Sequence, residues 1–122
     1  MDNRDKLPTY SGTWIWQALT GIALVILLSL HMIAHHFVVE GGLRTYEDVL
    51  RYVANPIIIV LEVIFLGVVT YHAMAGVRAI LFDLDMSDRA KTRTTRVLTV
   101  VGLILVAWGL YLSFYLFRIA TA

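Results

Sequence analysis

Three long apolar stretches constrain this chain more than any other feature. Residues 14–37 contain no Asp, Glu, Lys or Arg over 24 positions, enough at about 1.5 Å per residue to cross a hydrocarbon core of roughly 30 Å. Residues 56–83 and 97–118 supply two further runs of spanning length. Backbone N–H and C=O groups have no water to turn to in hydrocarbon, so such runs fold as helices. The expected fold is therefore an all-α integral membrane protein with three transmembrane helices. Trp14 and Trp16 open the first run, where amphipathic rings anchor a span at headgroup level.

Composition agrees and narrows the function classes. The chain has 122 residues, 59% hydrophobic and 16% charged, with a mean hydropathy of +0.76. It is too short for several domains and too apolar for an ordinary soluble one. A net charge of +1 without a Lys/Arg-rich run interleaved with aromatics excludes nucleic acid as a partner. The absence of cysteine excludes disulfides, thiolate metal sites and covalently attached haem.

The segments between the runs set the topology. Residues 1–13 are polar, with Pro8 and Gly12 breaking regular structure, and the apolar run that follows Arg4 and Lys6 is too long for a cleavable signal. Residues 38–55 form an outer loop with a short amphipathic piece near 46–53. Asn55-Pro56 marks a helix start, an N-cap followed by proline at the first helical position. Residues 84–96 are a charged connector, and Gly102 and Gly109 mark a close-packing face on the third run. Arg4, Lys6, Arg89, Lys91, Arg93 and Arg96 outnumber Arg44, Arg51 and Arg118, which favours the N-terminus and the connector on the cytoplasmic side of the cell inner (cytoplasmic) membrane.

Ionisable groups within the runs are the candidates for chemistry, because each costs roughly 2.5–3.5 kcal/mol at mid-membrane without a partner. The second run carries Glu62, His72, Arg78 and Asp83. On a helical period His72, Gly76, Ala79 and Asp83 share one stripe, a nitrogen ligand beside small residues that admit a neighbouring helix or a flat macrocycle. The first run carries His31, His35 and His36 near its outer end, and His31 shares a face with Gln17, Gly21, Leu24 and Leu28. His35 and His36 suit interfacial hydrogen bonding.

Two deep histidines on adjacent spans, without cysteine or a carboxylate cluster, point to haem more than to zinc or bare iron. His31 stands 17 residues from Trp14 and His72 stands 10 from Phe82. That is about 10 Å of difference in depth, whereas two axial nitrogens on one iron face each other across about 4 Å. Two separate haems are expected, each half-ligated by this chain.

With its helix II motif H-A-x-x-G-x-R-x-x-L-x-D from His72 to Asp83, the chain resembles the cytochrome b type membrane anchors of succinate dehydrogenase. Trp14 to Gly21 (W-x-x-x-x-x-T-G), His31, Asn55-Pro56 and Leu61-Glu62 fit the same pattern. The resemblance runs from Trp14 to about Tyr115. The shortness of the chain and its Gly41-Gly42 loop make it more similar to the D-type anchor of the family than to the C-type. The resemblance implies half of a larger helical bundle that binds haem b, with His72 and His31 as axial ligands of the nearer and farther haem. It further implies a second membrane anchor supplying the opposite ligands, and soluble iron-sulfur and flavoprotein subunits. The family passes electrons to quinone and links the tricarboxylic acid cycle to the respiratory chain, with no succinate-oxidising centre on the anchor itself. Arg78 and His36 are candidates for the propionates or the outer shell, and Trp14, Gln17 and Asp83 for quinone. The sequence departs from the family at Ala18, where many members have arginine, and at Leu84, where tyrosine is common. The competing expectations are a haem-free structural anchor whose histidines join helices by hydrogen bonds, and a proton-conducting subunit with Glu62, His72 and Asp83 as a relay.

Overall fold

The computed structural model describes residues 12–38, 40–42 and 45–122, and every regular element among them is helical. Helix α1 covers Thr13–Ile33 and continues as a π-helical turn over Ala34–Val38; α2 covers Tyr46–Val53, α3 Pro56–Phe82 and α4 Asp88–Thr121. α1 with its π turn, α3 and α4 are each long and apolar enough to cross a membrane. The all-α, three-span expectation is borne out.

Local chemistry explains the boundaries. The Asn55 side chain accepts from the Ile57 N–H at 2.9 Å, and Pro56 follows at N1, so α3 starts where its sequence predicts. α2 is secured by a reciprocal cap. Thr45 Oγ1 accepts from the Asp48 N–H at 3.2 Å, and Asp48 Oδ2 accepts from the Thr45 N–H at 3.0 Å. α4 begins at Asp88, well before residue 97, because Ser87 accepts from the Ala90 N–H at 3.3 Å and the charged connector itself turns helical. Its 34 residues extend about 50 Å, some 20 Å beyond a hydrocarbon core. The excess is the stretch that holds Asp88, Arg89, Lys91, Arg93 and Arg96. Only residues 84–87 remain as a turn, with Asp85 in the left-handed region at φ 36°, which aspartate tolerates better than most residues.

α1, α3 and α4 form an antiparallel layer with α3 in the middle, in contact with both neighbours. Gly102 of α4 packs under Met74 and Thr70, and Gly109 under Leu66, where even a Cβ would come within 2.5 Å of Leu66 Cδ2. Both glycines thus sit on the close-packing face. The buried cluster lies at the end of the bundle where α2 packs, with Ala34, Tyr52 and Val53 buried against Val49, Ile58, Ile59, Leu116 and Ala120. Elsewhere large apolar side chains such as Ile22, Val25, Ile57, Ile80 and Leu103 face outward. A water-soluble bundle would hide these, so lipid or other subunits must cover them. The orientation expectation draws in part on Arg4, Lys6 and Arg44, which lie outside the described residues.

Candidate functional site: two anchored histidines

The α1–α3 seam is built from small residues opposite polar ones. Gly76 makes room for Gln17, whose Nε2 stands 3.2 Å from where a Cβ would be and donates to the His72 carbonyl at 3.3 Å. Gly21 makes room for the His72 ring, with Cε1 3.2 Å from the position of a missing Cβ. The small residues of the His72 stripe therefore admit α1.

Thr20 fixes the His72 ring. Its hydroxyl lies 2.7 Å from the Trp16 carbonyl, 3.1 Å from the Gln17 carbonyl and 3.1 Å from His72 Nδ1; with the proton given to a carbonyl, the oxygen accepts from Nδ1–H. A neutral imidazole protonated at Nδ1 keeps its lone pair on Nε2. Among the described residues this ring makes no second hydrogen bond.

His31 is held in the same sense by a different group. Both carboxylate oxygens of Glu62 lie 2.9 Å from its Nδ1, and the Tyr52 hydroxyl donates to Glu62 Oε1 at 2.7 Å. A carboxylate only accepts, so Nδ1 is the nitrogen that carries a proton toward Glu62. The His35 ring stacks on His31 at 4.0 Å between centroids and meets Tyr52 edge-on at 4.7 Å. His35 sits on the π-helical turn, a local widening that recurs at functional sites. Its Nε2 lies 3.5 Å from Glu62 Oε1, buried and without a hydrogen bond. Phe65 closes the other side of His31 at 4.9 Å. Burial, and after it the hydrogen bond to Glu62, pushes the Tyr52 phenol well above its usual range.

Thr20 pairs with His72 and His31 with Glu62, so the two histidines stand about ten residues apart along either helix, roughly 15 Å. That exceeds the 10 Å read from the sequence and excludes one iron bound by both rings. His31, His35 and Glu62 each offer a donor atom, all within 4.8 Å of one another, a set that could hold a divalent cation.

The other sequence candidates scatter. Trp14 is exposed at the start of α1, and Asp83 caps α3 at the same end of the bundle. Gln17 turns its amide into the seam, where Oε1 is buried without a hydrogen bond. Arg78 lies over the Phe82 ring at 5.6 Å and lines a cavity of about 460 Å³ between α3 and α4, with Thr95, Thr99 and Gly102 opposite. His36 is exposed, and His35 takes the place beside His31. Glu62, His72 and Asp83 are not brought together; each is about ten residues, roughly 15 Å, from the next along α3. Sequence reading missed Thr20, Tyr52 and the pairing of Glu62 with His31. The four-residue spacing of His31 and His35 is the available hint that the two stack.

Residues 5–111 match the family model described as succinate dehydrogenase/fumarate reductase transmembrane subunit. The succinate dehydrogenase hydrophobic membrane anchor subunit of Archaeoglobus fulgidus is 34% identical over 101 residues, covering 83% of this chain and 86% of that one. Its counterpart from Thermoplasma acidophilum is 27% identical over 118 residues, covering 97% and 96%. No solved structure matches.

Proposed function

We propose, from the premise that this chain belongs to the succinate dehydrogenase/fumarate reductase transmembrane subunit family, that it binds haem b and conducts electrons to quinone. The chain is a membrane anchor subunit of succinate dehydrogenase, and its partners lie within that complex. The observation that carries the finer reading is the shared state of His72 and His31. Each has Nδ1 in contact with a polar group of the neighbouring span, the arrangement by which a second group orients a ligating histidine and directs Nε2 to the ligand.

The donor set fits haem b. One site offers the His72 imidazole and the other His31 with His35 stacked on it; no cysteine is present, and roughly 15 Å separates His72 from His31. His72 and His31 would hold one group each, with the opposite ligands supplied by the second membrane anchor. Bound haem supplies one-electron transfer in the direction of quinone, the electrons arriving through the iron-sulfur subunit from the flavoprotein. Thr20 and Glu62 hold the rings, and Gly21 sets how closely α1 approaches His72. Arg78 and His36 are assigned to propionates or outer-shell contacts. Trp14, Gln17 and Asp83 are assigned to the quinone end, on the side proposed to face the cytoplasm.

One observation favours a second reading: both histidines already make interhelical hydrogen bonds, as a haem-free structural anchor would require. A proton relay through Glu62, His72 and Asp83 loses support because those groups stand far apart on α3. The reduced-minus-oxidised absorbance spectrum of the purified complex separates the readings. The haem reading expects b-type bands with two haems per complex by pyridine haemochrome. A complex without b-type bands refutes it.

A further inference from the structure

We infer that Glu62 is a positioning residue that lowers the reduction potential at His31, and that Tyr52 moderates its effect. This rests on the reading of His31 as an axial ligand. Glu62 presents both oxygens to His31 Nδ1 at 2.9 Å, a charge-assisted contact from the neighbouring span. Drawing on the Nδ1 proton makes the opposite nitrogen a stronger donor, which favours the more positive, oxidised iron. His72 has only a neutral hydroxyl in that position, at 3.1 Å. The chain thus gives its two histidines unequal partners.

Tyr52 adds a second handle. Its hydroxyl donates to Glu62 Oε1 at 2.7 Å, competing for the charge that acts on His31. It comes from α2, outside the spans, and is nearly fully buried at 5% exposure, so the short outer helix and the capping box at its start reach the site through this bond. Replacing Glu62 and replacing Tyr52 should therefore move the potential in opposite directions, which a purely structural role for either residue would not do.

The experiment is a redox titration of the haem bands in the intact complex carrying Glu62→Gln, Tyr52→Phe or His31→Ala. Glu62→Gln keeps an acceptor but removes the charge. It should raise the midpoint of one component, changing its reduced-to-oxidised ratio by about tenfold, or about 59 mV for a one-electron couple. Tyr52→Phe, which stays apolar and of similar size, should lower the same midpoint by a smaller amount. The component that moves should be the one absent in His31→Ala. If His31→Ala removes no component, the ligand reading fails and the inference goes with it. If His31→Ala removes one component while Glu62→Gln leaves every midpoint in place, the inference alone is overturned. Equal shifts in both components, or shifts of the same sign from Glu62→Gln and Tyr52→Phe, overturn it too. Should Glu62→Gln fail to assemble, the sign of the Tyr52→Phe shift decides: downward supports the inference, and upward or none refutes it.

Discussion

A methyl group added at Gly21 tests the α1–α3 seam where it meets the His72 ring. The new Cβ of Gly21→Ala would stand 3.2 Å from His72 Cε1 and 3.8 Å from Nδ1. Carbon atoms in contact prefer about 3.5–4.0 Å, so the ring has to withdraw by a few tenths of an ångström. The bond from Nδ1 to Thr20 is already 3.1 Å, and such a withdrawal takes it to the edge of hydrogen-bonding range. Losing one interhelical hydrogen bond in a membrane is worth about 0.6 kcal/mol and at most about 1.7, and overpacking costs about 1–3. Alanine gains up to about 1 kcal/mol of helix propensity at Gly21 as well, which leaves an expected destabilisation of about 1.5 kcal/mol, roughly tenfold in an equilibrium. Gly67→Ala is the matched control. Nothing lies within 4 Å of its added Cβ, and replacing a mid-helix glycine by alanine gains up to about 1 kcal/mol of helix propensity. Thermal unfolding of the purified complex in detergent should show an earlier transition for Gly21→Ala and an unchanged or later one for Gly67→Ala. Equal shifts for the two variants would refute the close contact at His72.

Three other outcomes are expected. Because Tyr52 is held protonated in the folded chain above its ordinary value of 10.0, its contribution to stability is complete below about pH 10 and lost as the pH rises beyond it. Tyrosinate absorbance at about pH 11 should be the same with and without Tyr52→Phe, because the phenol removed is one that stays protonated there; a loss of absorbance in the variant would contradict this. The chain has no cysteine, so Ser87→Cys gives a single reporter in the turn before α4. An impermeant maleimide should label it from the cytoplasmic face, and labelling only from the outside would reverse the orientation. Asp83 is exposed at the end of α3, and Asp83→Asn should slow quinone reduction severalfold with haem content unchanged; lost haem with normal turnover would refute its assignment to the quinone end.

The span count and the start of α3 are legible in the sequence because they depend on local chemistry: apolar runs longer than a bilayer, and the Asn55-Pro56 pair. The start of α4 is not, because Arg89, Lys91, Arg93 and Arg96 read as a soluble connector although Ser87 caps them into helix. His72 and His31 stand out as ionisable groups in apolar runs. Their partners do not, since Thr20 with His72 and His31 with Glu62 are separated by 52 and 31 residues and meet only through the antiparallel register. The stripe of Gly76 and Ala79 leaves room for either a helix or a macrocycle, and packing settles the Gly76 end in favour of Gln17. The four-residue spacing of His35 from His31 hints at their stack, but the π-helical turn at Ala34–Val38 that carries His35 is a departure from the α period on which the face assignments are based.

The most direct test of haem ligation by two separate histidines is the b-type haem content of the intact complex with His72→Ala and with His31→Ala, counted by pyridine haemochrome and resolved by redox titration. Each variant should keep about half of the absorbance and lose a different component, and the double variant should keep none, because rings about 15 Å apart cannot serve the same iron. If both single variants abolish one and the same component, or if neither changes the spectrum, the assignment of His72 and His31 to separate haems is contradicted.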